Sequence, residues 1–275
     1  MEWPRNSKYC AAPRWFNPAG RIPRRILRKT GYKADSQGII DRFIRANGAW
    51  DEHVQHSRNF ILKVLTGKKI DNLAVYGSGW MLDLPLDELS GMVCSLQLFD
   101  LVHPPQVIHR LRKYRNVTAY RADITGGAVM KAYQAVKRFK RNGQKTPPEE
   151  ICSQSFRPVA APDFVISLNV LSQIGIMITD YLKLHVPYGP DEIDRILQGL
   201  QQSHLQLLRP GKSCLITDVR EINYDLSGSH AETTEVINIP LPASKYSETW
   251  EWQFDDRGDY RPGRRTVLEV AAMEL

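Results

Sequence analysis

The sequence predicts an α/β fold, with a mostly parallel sheet, an antiparallel C-terminal hairpin and an N-terminal helical cap. Three observations lead there. From residue 72 onward, short apolar runs alternate with stretches of helical period, the pattern of repeated strand–helix units. After residue 230 the period changes: Trp250, Trp252 and Phe254 alternate with polar residues, 255–263 supplies turn chemistry, and 266–273 is apolar, as in a hairpin that closes a sheet. A chain of 275 residues, 42% hydrophobic and 24% charged, can bury a sizeable core, which excludes a disordered tail or a peptide-sized module.

Residues 1–34 mix Pro, Arg and the aromatics Trp3, Trp15 and Phe16 without a period, and read as an irregular arm. Residues 1–33 hold nine basic side chains against Glu2, a net charge of +8, so the rest of the chain carries −1 of the total +7. Asp35 and Ser36 are expected to cap a helix through about Asn47, with Ile39, Ile40, Phe43 and Ile44 on one face and Gly48 ending it. Asp51 is expected to cap a second helix that runs to Gly67 with Val54, Phe60, Ile61, Val64 and Leu65 as its apolar positions. The arm and these helices make a first unit, 1–68; a sheet-based unit follows, 69–275. Its expected strands are 73–76, 93–99, 117–121, 163–168 and 213–217, and its helices 86–89, 105–114, 128–141 and 191–208. Four prolines make 142–162 a loop.

The first residues lack the apolar stretch of a secretory signal, and no window approaches a membrane span. Cys10, Cys94, Cys152 and Cys214 are far apart; Cys94 and Cys214 sit in apolar runs, as small buried hydrophobes do. The expectation is a soluble, cytoplasmic protein with no disulfide framework and no metal site.

The sharpest local signal is an apolar strand running into Gly77-Ser78-Gly79 and then a helix. Glycines let the backbone turn sharply and approach a ligand. Asp100 ends the second strand 23 residues after Gly77, where a carboxylate can accept both hydroxyls of a ribose. Asp123 follows the third strand, within reach of an adenine amino group or able to cap the next helix. Together these describe a nucleoside pocket at the carboxyl edge of a sheet. Leu82 stands where a dinucleotide fold wants its third glycine, which disfavours a nicotinamide-dependent oxidoreductase.

In this order the chain resembles class I S-adenosylmethionine-dependent methyltransferases: Gly77-Ser78-Gly79, then Phe99-Asp100, Ala122-Asp123-Ile124, residues 162–169 ending at Asn169, and Leu208-Arg209-Pro210-Gly211-Lys212 before the fifth strand. The resemblance covers about residues 70–275 and implies a Rossmann-like seven-stranded sheet whose last strand is inserted antiparallel. It implies S-adenosyl-L-methionine as cofactor, with Gly77, Ser78 and Gly79 along the methionine moiety, Asp100 at the ribose, Asp123 at the adenine and Asn169 at the fourth strand end. Val75 replaces the usual acidic residue before the first glycine, so the cofactor's amino group needs another partner. The fourth-strand end offers Asn169, Ser172 and Gln173, neither the Asn/Asp-Pro-Pro-aromatic motif of DNA amino methylation nor a Cys pair for base carbons. Gln173, His56, Arg58 and His103 are the candidate acceptor contacts, with His53 on the same helix as His56 and Arg58, and with the helical cap at 36–66 and the loops at 218–230 around a small acceptor; no catalytic residue is assigned. The resemblance implies methyl transfer, and the −1 charge of the chain after the arm, which offers no basic groove, favours a small-molecule acceptor. An RNA acceptor bound through the basic arm, with Trp and Phe for stacking, is the alternative; a non-catalytic nucleoside-binding protein is another.

Overall fold

The computed structural model describes residues 22–153, 155–158, 161–225, 228 and 230–275. Most of the basic arm, with Trp3, Cys10, Trp15 and Phe16, lies outside these residues. Its last part is helical where an irregular segment was expected: α1 (Arg24–Lys29) buries Ile26 and Leu27. α2 (Tyr32–Ala46) starts three residues before the expected cap, from Gly31 at φ 87°, so Asp35 and Ser36 lie within the helix. A left-handed residue turns the chain tightly between α1 and α2, and glycine adopts that conformation without strain. α3 (Asp51–Leu65) follows from Trp50, with Asp51 in its first turn, where its charge suits the helix dipole.

Then come β1 (Asn72–Tyr76), α4 (Leu86–Met92), β2 (Ser95–Asp100), α5 (Pro105–Leu111), β3 (Val117–Arg121) and α6 (Ala128–Asn142). The expected loop at 142–162 contains one turn of helix, α7 (Pro148–Ile151). β4 (Phe164–Leu168), α8 (Ile176–His185), α9 (Pro190–Leu205), β5 (Ser213–Asp225), β6 (Ala231–Glu235), β7 (Tyr246–Asp255) and β8 (Arg264–Glu274) complete the chain.

The sheet has eight strands rather than seven, ordered β3-β2-β1-β4-β5-β8-β7, with β6 paired to β5 off that path. The β1–β2, β1–β4, β2–β3 and β4–β5 pairs are parallel. β8 is antiparallel to both β5 and β7, so the expected hairpin closes the sheet with its last strand on the inside. β5 outruns the expected 213–217 because β8 continues to pair with it as far as Asp225↔Arg264. One face of the sheet packs against α3, α4 and α5 through Phe60, Leu89, Val107, Ile166 and Trp252. On the other face Tyr76, Phe99, Phe156 and Leu215 form the core, and α6, α8 and α9 share a further cluster. α3 therefore covers the sheet itself, since its buried side is part of the sheet's main core.

Cys214 is fully buried, but Cys94 is half-exposed because β2 starts one residue after it. Among the described residues no helix is long and apolar enough to cross a membrane.

Candidate nucleoside and acceptor cleft

β1 pairs with β2 on one side and β4 on the other, so strand order reverses at β1. Loops leaving two such strands diverge to opposite faces and open a crevice beyond the carboxyl ends, the usual ligand site of open parallel sheets. A cleft of about 680 Å³ lies there, lined by Gly77, Gly79, Asp100, Asn169 and Asp218 among others, within the roughly 300–1,000 Å³ of small-molecule sites.

Gly77 and Gly79 serve different needs. Gly77 has φ 82°, and a Cβ there would stand 2.5 Å from the Leu168 carbonyl oxygen and 2.9 Å from Val170 Cβ. That glycine lets the end of β1 pass the end of β4. At Gly79, φ 36°, a Cβ would meet only Asp100 Oδ2, at 3.6 Å, so the missing side chain leaves this edge open to the cleft. Asp100 holds the turn: Oδ2 accepts the Gly79 N–H at 2.9 Å and Oδ1 the Val102 N–H at 3.0 Å. Each carboxylate oxygen can accept a second bond. The expected helix directly after the glycines is not formed. Residues 80–85 are irregular, with Met81 at φ 56°, and α4 begins at Leu86. Trp80 instead donates its indole N–H to the Ser36 carbonyl at 2.6 Å, tying the turn to α2.

At the end of β4, Asn169 sits at φ 49° and donates from Nδ2 to Asp83 Oδ2 at 2.6 Å. Asp83 is also 3.9 Å from His53 Nε2. Burial pushes the Asp83 carboxyl up to about 6, against the lowering effects of hydrogen bonds and of Arg58. His53 is 2% exposed, stacks on Trp252 at 3.8 Å and accepts the Trp250 indole N–H at Nδ1. Burial first, and then the His56 charge, lower it to about 3, so it is neutral, and the Trp250 bond puts its proton on Nε2, facing Asp83.

The far wall comes from β5. The register with β8 shifts between Asp218 and Arg220. Val270 and Leu268, two apart on β8, face Asp218 and Glu221, so the bulge brings these two carboxylates, three apart in sequence, to one side of the sheet. Glu221 is satisfied by Arg261 at 2.7 Å, Asn223 at 2.8 Å and the Tyr260 hydroxyl at 3.2 Å, and together these hold its carboxyl below the ordinary value despite burial. Asp218 is 5% exposed; burial raises its carboxyl, the neighbouring Ser172 hydroxyl opposes that, and Glu221 adds to it. Asp218 Oδ1 and Ser172 Oγ face one another, and among the described residues neither makes a well-formed hydrogen bond.

Of the residues expected from sequence, Gly77, Ser78, Gly79, Asp100, Asn169 and Gln173 line the cleft. Asp123, His56, Arg58 and His103 do not. Asp123 is buried below the cleft floor, where Oδ1 accepts from the Thr125 N–H at 3.0 Å and from its hydroxyl; Ile124 and Thr125 line the cleft in its place. The Thr125 hydroxyl accepts the Ala128 N–H at the start of α6, and the Asp123 carboxyl faces the backbone N–H groups of Gly127 and Val129 at the same helix end, as the capping alternative expected. His56 stacks on Trp250 beside Glu52, on the outer side of α3. Arg58 donates to the Leu82 carbonyl at 2.5 Å, and His103 Nε2 meets the Ser78 hydroxyl at 2.9 Å. Both brace the glycine turn from behind. Asp83 was missed as a site residue, whereas Asp218 and Glu221 lie in the 218–230 stretch expected around the acceptor, although neither was singled out. Asp218 directly follows the apolar run 213–217, as Asp100 ends its own strand, and that is the signal that marks it.

No protein-family profile and no curated protein matches the sequence. Among solved structures, the chain is similar to the N-methyltransferase NodS from Bradyrhizobium japonicum WM9 in complex with S-adenosyl-L-homocysteine, at 12% identity and TM-score 0.37, over 80% of this chain and 87% of that one. It is similar to DhpI in complex with S-adenosylhomocysteine at 11% identity and TM-score 0.41, over 90% and 96%. A third is the 1,6-didemethyltoxoflavin-N1-methyltransferase of Burkholderia thailandensis, at 12% identity and TM-score 0.38, over 89% of each chain. These superpositions are loose, and the topology stands without them. Five parallel strands that reverse order at β1, followed by a last strand inserted antiparallel between β5 and β7, give this chain the Rossmann-like fold of class I methyltransferases.

Proposed function

We propose that the protein is an S-adenosylmethionine-dependent methyltransferase acting on a small molecule. The observation that carries this reading is the cleft at the strand-order reversal, open at Gly79 and flanked by Asp100. Its unpartnered polar atoms fit a polar, elongated ligand: the Tyr32 hydroxyl on α2, and Asn169 Oδ1 at the end of β4. When bound, the cofactor supplies an electrophilic methyl group on a sulfonium.

The chain's residues bind and orient. Asp100 takes the ribose hydroxyls with the lone pairs its backbone bonds leave free. Ile124 and Thr125 face the adenine, with Asp123 fixing Thr125 from below. Asp83, held by Asn169, supplies the negative charge that Val75 does not, and meets the amino group. A cationic group beside Asp83 lowers its carboxyl pKa and keeps it ionised at neutral pH. His103 and Arg58 hold the Gly77–Gly79 turn in shape.

A small acceptor is favoured over RNA because the described walls of the cleft carry Asp35, Asp83, Asp100, Asp180, Asp218, Glu221 and Glu235 against Arg42, Lys183 and Arg261. That balance repels a phosphate backbone. S-Adenosylhomocysteine is expected to raise the melting temperature, as any ligand of the native state does, and the reduced nicotinamide dinucleotide is not. A rise with the dinucleotide alone would return the site to the oxidoreductase class.

A further inference from the structure

Asp218 and Ser172, on the β5 and β4 side of the cleft, have no role in holding the cofactor as assigned above, yet their polar groups are among the least satisfied of the site. Asp218 and Ser172 are 5% and 3% exposed, both line the cleft, and neither Asp218 Oδ1 nor Ser172 Oγ makes a well-formed hydrogen bond among the described residues. Asn169 Oδ1, beside them at the end of β4, is also unpartnered. A buried carboxylate oxygen left open is costly unless a donor meets it. Asn169 Oδ1 accepts hydrogen bonds, as does an ionised Asp218, so the group that completes them is a donor, and a cationic or amine nitrogen fits better than a carboxylate, a phosphate or a carbonyl. Next to them the wall is aromatic: Trp252, Phe254 and Tyr260 line the same cleft, and Trp252 and Asp218 lie on the same side of the sheet. An aromatic face beside a carboxylate favours an amine on an apolar body.

We infer that Asp218, Ser172 and Asn169 form the acceptor subsite, and that the acceptor is a compact amine carried on an aromatic or apolar body. The inference rests on the methyltransferase reading above. Asp218 takes one proton from the ammonium form of the amine, and the neutral amine turns its freed lone pair toward the methyl group while its two N–H groups stay on the subsite oxygens. As the N–C bond forms, the C–S electron pair stays on sulfur, and the positive charge gained by the nitrogen faces Asp218.

The test is calorimetric titration of 2-phenylethylamine and tryptamine into the full-length protein saturated with S-adenosylhomocysteine, with 2-phenylethanol and phenylacetate as matched controls. The amines are expected to bind roughly tenfold or more tightly than the controls, because a charge-assisted bond is lost in the controls. Asp218→Asn should remove that preference and Ser172→Ala should weaken it, while both variants keep S-adenosylhomocysteine affinity within about twofold of wild type, which also reports that they fold. Controls that bind as well as the amines, or no amine binding to protein that binds S-adenosylhomocysteine, would overturn the inference alone. A loss of S-adenosylhomocysteine affinity in a natively folded Asp218→Asn would also overturn it, because the oxygens would then serve the cofactor's amino group. Wild-type protein that binds no S-adenosylhomocysteine would overturn the methyltransferase reading and this inference with it.

Discussion

At Gly77 and Gly79 the same residue type answers two different physical demands, and substitution separates them. Gly77→Ala places a Cβ 2.5 Å from a backbone oxygen at φ 82°, where neither strand can yield. It should cost about 3 kcal/mol or more, combining left-handed strain with overpacking. Gly79→Ala meets only a side-chain oxygen at 3.6 Å, so its cost should stay near the roughly 1–2 kcal/mol of left-handed strain. Urea unfolding and S-adenosylhomocysteine binding, measured on both, should show Gly77→Ala mainly as lost stability and Gly79→Ala mainly as lost affinity; equal effects would remove the distinction. These glycines and Asp100 were legible because their spacing along one strand–turn–strand unit fixes their meeting. His53 and Asp83 come from separate segments that approach only in the fold, and Glu221 joins Asp218 on one side of the sheet only through a β-bulge, which has no signature in the apolar pattern. His56 misled because a helix preceding the first strand offers the cleft one side only, and His53, three residues earlier, takes it.

At the scale of elements, α9 is fastened to β4 by a buried pair, His204 Nε2 and the Ser167 hydroxyl at 2.8 Å. Burial lowers His204 from 6.5 to about 4. The unfolded chain therefore binds a proton that the folded chain refuses, and this stability is complete above pH 6.5 and lost as pH falls toward 4. His53, lowered to about 3, acts in the same direction. Asp83, raised to about 6, acts in the opposite direction between about 6 and 3.8 and offsets one of the two. Between pH 7 and 5 the His204 contribution is about 2 kcal/mol. In His204→Gln the stability lost over that interval should shrink by that amount, as read by urea unfolding at the two pH values; an unchanged loss would assign the acid sensitivity elsewhere. α8 escaped sequence reading because Gly175 offers no side-chain cap and Ile176-Met177-Ile178 is too short an apolar run for periodicity to tell helix from strand. α2 was found but misaligned, because a left-handed glycine replaced the expected side-chain cap.

At the scale of the whole molecule, charge separates the chain into a basic beginning and a nearly neutral remainder, +8 over residues 1–33 and −1 after them. The cleft is built from residues that begin at Tyr32. Deleting residues 1–20 should therefore leave S-adenosylhomocysteine affinity unchanged, and affinity should vary little with moderate salt. Tight RNA binding at physiological salt by the intact chain, lost on truncation, would restore the RNA reading. The order of parallel strands followed from alternating apolar and helical stretches, and the hairpin from its period of two. The eighth strand did not, since β6 is exposed along its whole length and pairs only with the polar extension of β5. The central claim is that the reversal of strand order at β1 makes a site for S-adenosylmethionine with Asp100 at its ribose. Calorimetric titration with S-adenosylhomocysteine tests it most directly: the account predicts binding of one equivalent with Kd on the order of tens of micromolar or tighter, weakened at least about tenfold in Asp100→Ala by the loss of a charged acceptor. No heat with wild-type protein, or an Asp100→Ala variant that binds as wild type does, would contradict it.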